Sequence, residues 1–247
     1  MLFASGKKLI IMANSRFEIE EKYRARGYRH VIGVDEAGRG PLAGPVFAAA
    51  FVLAGYSASD REFHAQAREV RDSKQLTAAR RERLFGWLTE REDFFWGCAC
   101  VSPFGIDRIN ILEATRLAMA RAVRNLSAMA VKKLPLFSLA SSCLIIDGSS
   151  AINMAIDQFP LVKADQTVFS CSAASIIAKV ARDRLMESYD RRYPGYGFSL
   201  HKGYPTARHV AALKNLGVLP VHRKTFAPVS GLCDNLQKNK AINSDED

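Results

Sequence analysis

No apolar run in this 247-residue chain approaches the roughly 20 residues that a membrane-crossing helix needs. Lys7 to Met12 opens with base, but its apolar part is too short for a signal sequence and no small-residue cleavage site follows cleanly. No targeting segment and no membrane partner are therefore expected. Cysteine is sparse and odd in number: Cys98, Cys100, Cys143, Cys171 and Cys233. No pair has the CxxC spacing of a zinc knuckle or a redox motif. Cys98 and Cys100 would share one face of a strand as small apolar residues, and all five read as reduced and structural. That fits a cytoplasmic protein. Acid is in deficit, with 25 Asp+Glu against 35 Lys+Arg and a net charge of +10. The excess base points to an anionic partner, nucleic acid first and a membrane surface second. No internal repeat is present. With 48% hydrophobic and 24% charged residues, the composition is that of a globular protein able to bury a core, as one large domain or two small ones.

What is abundant is concentrated in Val31 to Val46, VIGVDEAGRGPLAGPV. The stretch opens as a short apolar run that reads as a buried strand. Asp35 and Glu36 sit where that strand would end, among Gly33, Gly38, Gly40, Gly44, Pro41 and Pro45. Glycines at this density allow close backbone approach and expose N–H groups, and Arg39 adds a fork-shaped donor suited to phosphate. Carboxylates beside such a backbone suggest metal-assisted phosphoryl transfer, whereas the plain alternative is a strand and a solvated turn.

Along the chain, residues 1–14 read as a loose extension, and Ser15 as a cap-like start to a short helix ending near Gly27. Phe47 to Leu53 is a second strand, antiparallel to the first because the turn is short. Ala54 to Arg71 reads as an irregular polar excursion. Thr77 caps a helix to about Arg91, and Asp93 to Val101 is a third strand. Ser102-Pro103 opens a helix to about Leu126 with Ile109, Leu112, Met119, Val123 and Leu126 on one side, and residues 127–142 form a looser connection. Leu144-Ile145-Ile146 is a fourth strand ending at Asp147-Gly148, and a short strand near Leu161-Val162 leads to Lys163-Ala164-Asp165. A helix spans about Ser170 to Tyr189, with Ala173, Ile177, Val180, Ala181 and Leu185 as its stripe. Thr206 caps a last helix that Gly217 ends, and the tail after 230 lacks periodicity and is expected to be mostly disordered. Alternation of strands and helices after a hairpin gives an α/β layer with a mixed sheet, whose sites gather at strand ends.

Asp35, Glu36, Asp147 and Asp165 each lie near an apolar strand or its end. Together they would repel one another, and a divalent cation resolves that repulsion. All-oxygen ligation suits Mg²⁺ or Mn²⁺ rather than zinc. Two such ions, roughly 4 Å apart, can activate a water and stabilise a leaving oxygen.

The same residues carry a resemblance. VIGVDEAGRGPLAGPV is followed in order by DSKQL at 72–76, IIDG at 145–148, KADQ at 163–166, SAASIIAKVARD at 172–183, HKGYPT at 201–206 and HRKTFAPV at 222–229. This series closely resembles bacterial ribonuclease HII, the type 2 ribonuclease H family, over about 31–229. DEAGRGPLAGPV is highly specific, and type III enzymes differ at this loop. The resemblance implies a ribonuclease H-like α/β fold, a mixed central sheet flanked by helices with a small helical C-terminal extension. It implies cleavage of the RNA strand of RNA–DNA hybrids and incision at single ribonucleotides in duplex DNA. The ligands of the Mn²⁺ or Mg²⁺ ions, expected as a pair during catalysis, would be Asp35, Glu36, Asp147 and Asp165. Gly38, Arg39 and Gly40 match the loop that reads the ribose 2′-hydroxyl, and Tyr204 the tyrosine that packs on the sugar. A 2′-hydroxyl is the one handle that separates RNA from DNA at a single nucleotide. Ser73, Lys74, Lys179, Lys202 and Arg223 are candidates for backbone phosphates. His201, His209 and His222 read as structural or phosphate-adjacent, and Asp72 and Asp183 as helix-terminus or ion-pair residues. Ala164 stands where the family usually has Gly.

The expected organisation is an extension with a short helix over 1–30, a catalytic domain over 31–190, a substrate-binding segment over 191–230 and a tail over 231–247. A monomer is expected, and the tail shows no clamp-binding pattern. Two rival readings are a basic RNA/DNA-binding protein with an inactive nuclease fold and a metal-dependent nuclease acting on DNA or structured RNA.

Overall fold

The computed structural model describes residues 17–55 and 60–233. The expected loose extension, a cap at Ser15 and nearly all of the polar tail lie outside these residues. A five-stranded sheet organises the rest, in the order β3-β2-β1-β4-β5. β1 (His30–Ala37) is central, pairing antiparallel with β2 (Val46–Leu53) and parallel with β4 (Ser142–Asp147). β3 (Phe94–Val101) adds to β2 antiparallel, and β5 (Asp157–Leu161) to β4 in parallel. The expected hairpin and mixed sheet are both present. β5 starts before the expected Leu161-Val162 and is a half-exposed edge, which left it with little apolar signal.

Two long helices cover the faces. α4 (Pro103–Lys133) buries Ala118, Ala122, Val123 and Leu126 against Ile32, Val34, Ala48, Ala50, Leu144 and Ile146. α6 (Phe169–Arg192) takes the opposite face, with Ala173, Ala174 and Ile177 against Ala49 and Phe51. Because side chains alternate across a strand, the odd-numbered residues of β1 and β4 face α6. Gly33 lets α6 approach: a Cβ there would lie 2.2 Å from the backbone carbon of Ser170 and 2.3 Å from Cys171 N. Gly33→Ala must therefore push the helix off the strand that carries Asp35. It is expected to cost about 2 kcal/mol, seen as a lower urea midpoint at unchanged slope. A wild-type midpoint would contradict this packing.

The structure corrects the sequence reading in two places. The excursion over 54–71 contains a helix, α2 (Arg61–Glu69), whose N-terminus Asp60 caps by accepting from Phe63 N at 2.9 Å. Only Phe63 and Ala67, one helical turn apart, are buried, so its amphipathic signal is short. The second correction concerns α4, which runs on to Lys133 through the expected loose connection. A break at Asn110 (φ 62°, ψ 168°) shifts its register. Asn110 re-caps the helix by accepting from Leu112 N and Glu113 N at 2.9 and 3.1 Å. Ile109 and Leu112 are consequently exposed, and Ile106, Ala114 and Ala118 take the buried stripe.

The expected caps at Thr77, Ser102 and Thr206 each accept a backbone N–H three residues on, opening α3 (Ala78–Glu90), α4 and α8 (Ala207–Leu216). Glu20 on α1 (Glu18–Ala25) is buried and accepts from Ser170 N and Oγ, fixing the start of α6. α7 (Phe198–His201) and α8 pack on the far half of α6 through Tyr196, Phe198, Ala212 and Val221, which meet Met186 and Ala43. This places residues 196–223 beside the glycine-rich loop that follows β1.

Candidate active site

Val34 pairs with Ile146 in the parallel register of β1 and β4, so the next residues, Asp35 and Asp147, leave the sheet side by side on the α6 face. Asp165 comes from α5 (Ala164–Thr167), entered through Lys163 in a left-handed conformation (φ 62°). One carboxylate oxygen each of Asp35, Asp147 and Asp165 lies within 4.8 Å of the others. Asp147 Oδ1 accepts from Ala164 N at 2.7 Å, so the departure at 164 leaves this contact in place. Asp35 and Asp165 are only 3% exposed.

Glu36 stands apart. Its neighbour on the strand faces α6, so Glu36 faces the other way, and its Oε1 accepts from Arg39 Nη1 at 3.4 Å. The structure thus gathers three of the four predicted acids into one set of donors, with Glu36 alongside. Burial, then the charges of Glu36 and Asp147, push the Asp35 carboxyl well above the usual carboxylate range. Burial raises Glu36 against the pull of Arg39, and burial with Asp147 raises Asp165. Three carboxylate oxygens gathered this closely, two of them on acids that their surroundings keep from ionising, fit a divalent cation.

Lys74 Nζ lies 3.7 Å from Asp165 Oδ2 with its side chain 77% exposed. Although burial opposes it, Asp72, Asp165, Asp35 and Asp147 together raise its pKa. Asp72 caps the short 3₁₀ turn Ser73–Gln75, as expected of a helix-terminus acid, by accepting from Lys74 N. Asp183 is the expected ion-pair residue, 2.7 Å from Lys179 Nζ.

Several phosphate candidates have other work. Ser73 is buried and its hydroxyl meets Ser175 Oγ at 2.9 Å, and Ser175 in turn hydrogen-bonds Asp35. Ser73 therefore supports the acid from behind and does not reach solvent. Arg223 is fully buried, donating to the carbonyls of Gly38, Arg39 and Gly44 at 2.6 to 3.0 Å, so it cannot reach a phosphate. A basic loop residue reads by default as solvated, and only the folded-back chain shows otherwise. Lys179 is held by Asp183, and Lys202 donates to Glu187 at 2.7 Å.

Gly38 and Gly40 are glycine for different reasons. Gly38 has φ 94°, and a Cβ there would lie 2.0 Å from Arg182 Nε. Gly40 has no such φ and is exposed, and a Cβ there would meet only Tyr204 Cε1, at 3.8 Å. The fold demands Gly38, whereas Gly40 is exposed and lies beside the 40%-exposed Tyr204. Arg182 and Ser175 escaped the sequence reading. The available signal was a charged residue, and one serine among three, on the buried faces of a helix whose other buried residues are mostly Ala and Ile.

The sequence profile of the family described as Ribonuclease HII matches residues 32–229. The chain belongs to the ribonuclease HII family. Its match covers the sheet, the acids and the segment that carries Tyr204. Ribonuclease HII of Laribacter hongkongensis is 48% identical over 206 residues, covering 81% of this chain and 92% of that one. Ribonuclease HII of Syntrophomonas wolfei is 45% identical over 206 residues, covering 83% and 73%. Among solved structures, ribonuclease H2 of Pyrococcus horikoshii superposes with a TM-score of 0.62 at 28% identity, over 85% of this chain and 99% of that one. The ribonuclease H-like fold is thus shown, and this chain is an enzyme of a metal-dependent endonuclease family that acts on RNA–DNA hybrids. Among the described residues no helix is long and apolar enough to cross a membrane.

Proposed function

We propose that this enzyme incises duplex DNA on the 5′ side of a single embedded ribonucleotide, as well as degrading the RNA strand of hybrids. The observation that carries the reading is that exposed Gly40, a few residues on from the acids, lies beside the half-exposed Tyr204 ring, where a Cβ at Gly40 would be 3.8 Å from Tyr204 Cε1. Arg39 links the two regions through its contact with Glu36. Asp35, Asp147 and Asp165, with Glu36 beside them, would hold two Mn²⁺ or Mg²⁺ ions, which when bound supply an activated water and stabilise the leaving oxygen. Gly38, Arg39 and Gly40 bring backbone to the ribose 2′-hydroxyl, and the Tyr204 ring offers a flat face for the sugar. Lys74 is placed to neutralise a phosphate at the edge of the acid cluster. The 2′-hydroxyl is recognised and does not attack.

The test is a DNA duplex carrying one ribonucleotide, incubated with Mn²⁺ or Mg²⁺, with the cut mapped. The expected products are a 3′-hydroxyl and a 5′-phosphate on the 5′ side of the ribonucleotide, and none on an all-DNA duplex. Cyclic 2′,3′-phosphate ends, or equal cleavage of all-DNA duplex, would overturn the reading.

A further inference from the structure

Two arginines lie beneath the surface formed by the glycine loop and Tyr204. Arg182 is 1% exposed and Arg223 0%. Neither forms an ion pair among the described residues. Their hydrogen bonds go to backbone carbonyls. Arg223 holds Gly38 O, Arg39 O and Gly44 O. Arg182 holds Ala43 O and Pro45 O at 3.1 Å and Lys202 O at 3.0 Å, with its guanidinium 5.9 Å from the centre of the Tyr204 ring. One arginine therefore fixes the loop, and the other ties that loop to the turn bearing Tyr204.

Peptide geometry gives this arrangement a consequence. In a trans peptide the C=O and the following N–H point in opposite directions. Pinning Gly38 O and Arg39 O inward turns the amides of Arg39 and Gly40 outward. Both residues are exposed, and neither amide has a protein partner among the described residues. Burying a charge without a counter-ion is expensive, and an apolar side chain would fill the same volume at lower cost. A guanidinium fork, however, spreads five N–H donors over three nitrogens and so reaches carbonyls set apart from one another, whereas a lysine offers three donors from a single nitrogen and an apolar residue none.

We propose that Arg182 and Arg223 are positioning residues for ribonucleotide recognition, holding the outward amides of Arg39 and Gly40 and the Tyr204 ring as two walls of one groove. The proposal rests on the reading that this groove takes the ribose. Its consequence is selective. A long hybrid presents a ribose in every register, so a loosened wall still finds one. A duplex with one ribonucleotide offers a single productive register, and there a loosened wall fails.

The experiment compares kcat/KM on single-ribonucleotide duplex with that on RNA–DNA hybrid, in Mn²⁺, for wild type, Arg223→Lys and Arg182→Lys. Mn²⁺ affinity by calorimetry and the melting temperature run alongside. The single-to-hybrid ratio is expected to fall on the order of tenfold while Mn²⁺ affinity holds, whereas general damage would lower both substrates together. Asp107→Ala supplies a second route. Asp107 is a surface acid that accepts from Lys224 N and Thr225 N at 2.9 and 3.0 Å, anchoring the segment that carries Arg223. Its loss should lower the ratio in the same direction by less, and it decides the matter if the lysine variants do not fold. An unchanged ratio in the folded variants would overturn the proposal while leaving the function reading intact. Failure of wild type to cut at the single ribonucleotide would overturn both.

Discussion

Asp35→Asn is expected to lower turnover by a factor of at least about 10³, while the metal-free protein becomes more stable. The two effects share a cause. Asp35 is buried beside Glu36 and Asp147, and these surroundings hold its carboxyl well above the usual range. For an acid whose pKa is raised on folding, the folded state binds the proton longer than the unfolded state. Stability is then fully present below the unfolded value, near 3.9, and is lost as pH rises through the folded value. The Asn variant carries no such penalty. Its melting temperature should exceed that of wild type at pH 7, and the advantage should shrink toward pH 4. Adding Mn²⁺ should reverse the order, because binding to the folded state stabilises wild type more. Calorimetry at both pH values, with and without Mn²⁺, checks each limb. A variant that melts below wild type without metal, or that keeps substantial activity, would contradict the account of the site. Asp147→Asn is expected to remove turnover in the same way, because Asp147 is another donor of the cluster.

How far the sequence could be read depended on whether a residue's neighbours were local. The acids at strand ends were legible because an apolar run that ends in Asp-Gly or Asp-Glu places its carboxylate at the sheet edge whatever lies around it. The alternation of the strand also separates Asp35 from Glu36, so that one joins Asp147 and Asp165 while the other turns to Arg39. Arg223 and Ser73 were misplaced because their partners are distant in sequence. Arg223 becomes buried only when residue 222 pairs with Ala43 and carries it under the loop, 179 residues from Gly44. Ser73 meets a hydroxyl on α6, 102 residues on. The break in α4 had a local signal, since Asn tolerates positive φ and caps helices, but the continuous apolar pattern concealed it. The two glycines of the loop look equivalent in sequence, and only the space around each shows that one serves the fold and the other faces outward.

A loss of stability between pH 6.5 and about 4 is expected to trace to His222, whose pKa is lowered to about 4, by burial first and then by His209. The hydrogen bonds explain why its neutral form is required. Leu219 N donates to His222 Nδ1 at 2.8 Å, so that nitrogen carries no proton and Nε2 does. His222 Nε2 then donates to His209 Nε2 at 3.1 Å, which leaves His209 Nδ1 to donate to Tyr204 O at 3.0 Å. His201, stacked on His209 at 4.3 Å, accepts from Gly203 N at Nδ1 and donates from Nε2 to Tyr196 O. Each ring uses one nitrogen as an acceptor, so protonating any of them sets a proton against an N–H. For a histidine whose pKa falls on folding, stability is fully present above the unfolded value of about 6.5 and is lost as pH drops toward the folded value. His222 alone accounts for about 3 kcal/mol across that interval. The pH dependence of the urea midpoint should therefore be steep in wild type and flatter in His222→Gln. A variant profile parallel to that of wild type would remove His222 from the explanation. Because His209 and His201 hold the backbone on either side of Tyr204, cleavage at a single ribonucleotide should decline in the same interval before the protein unfolds, and faster than cleavage of a long hybrid.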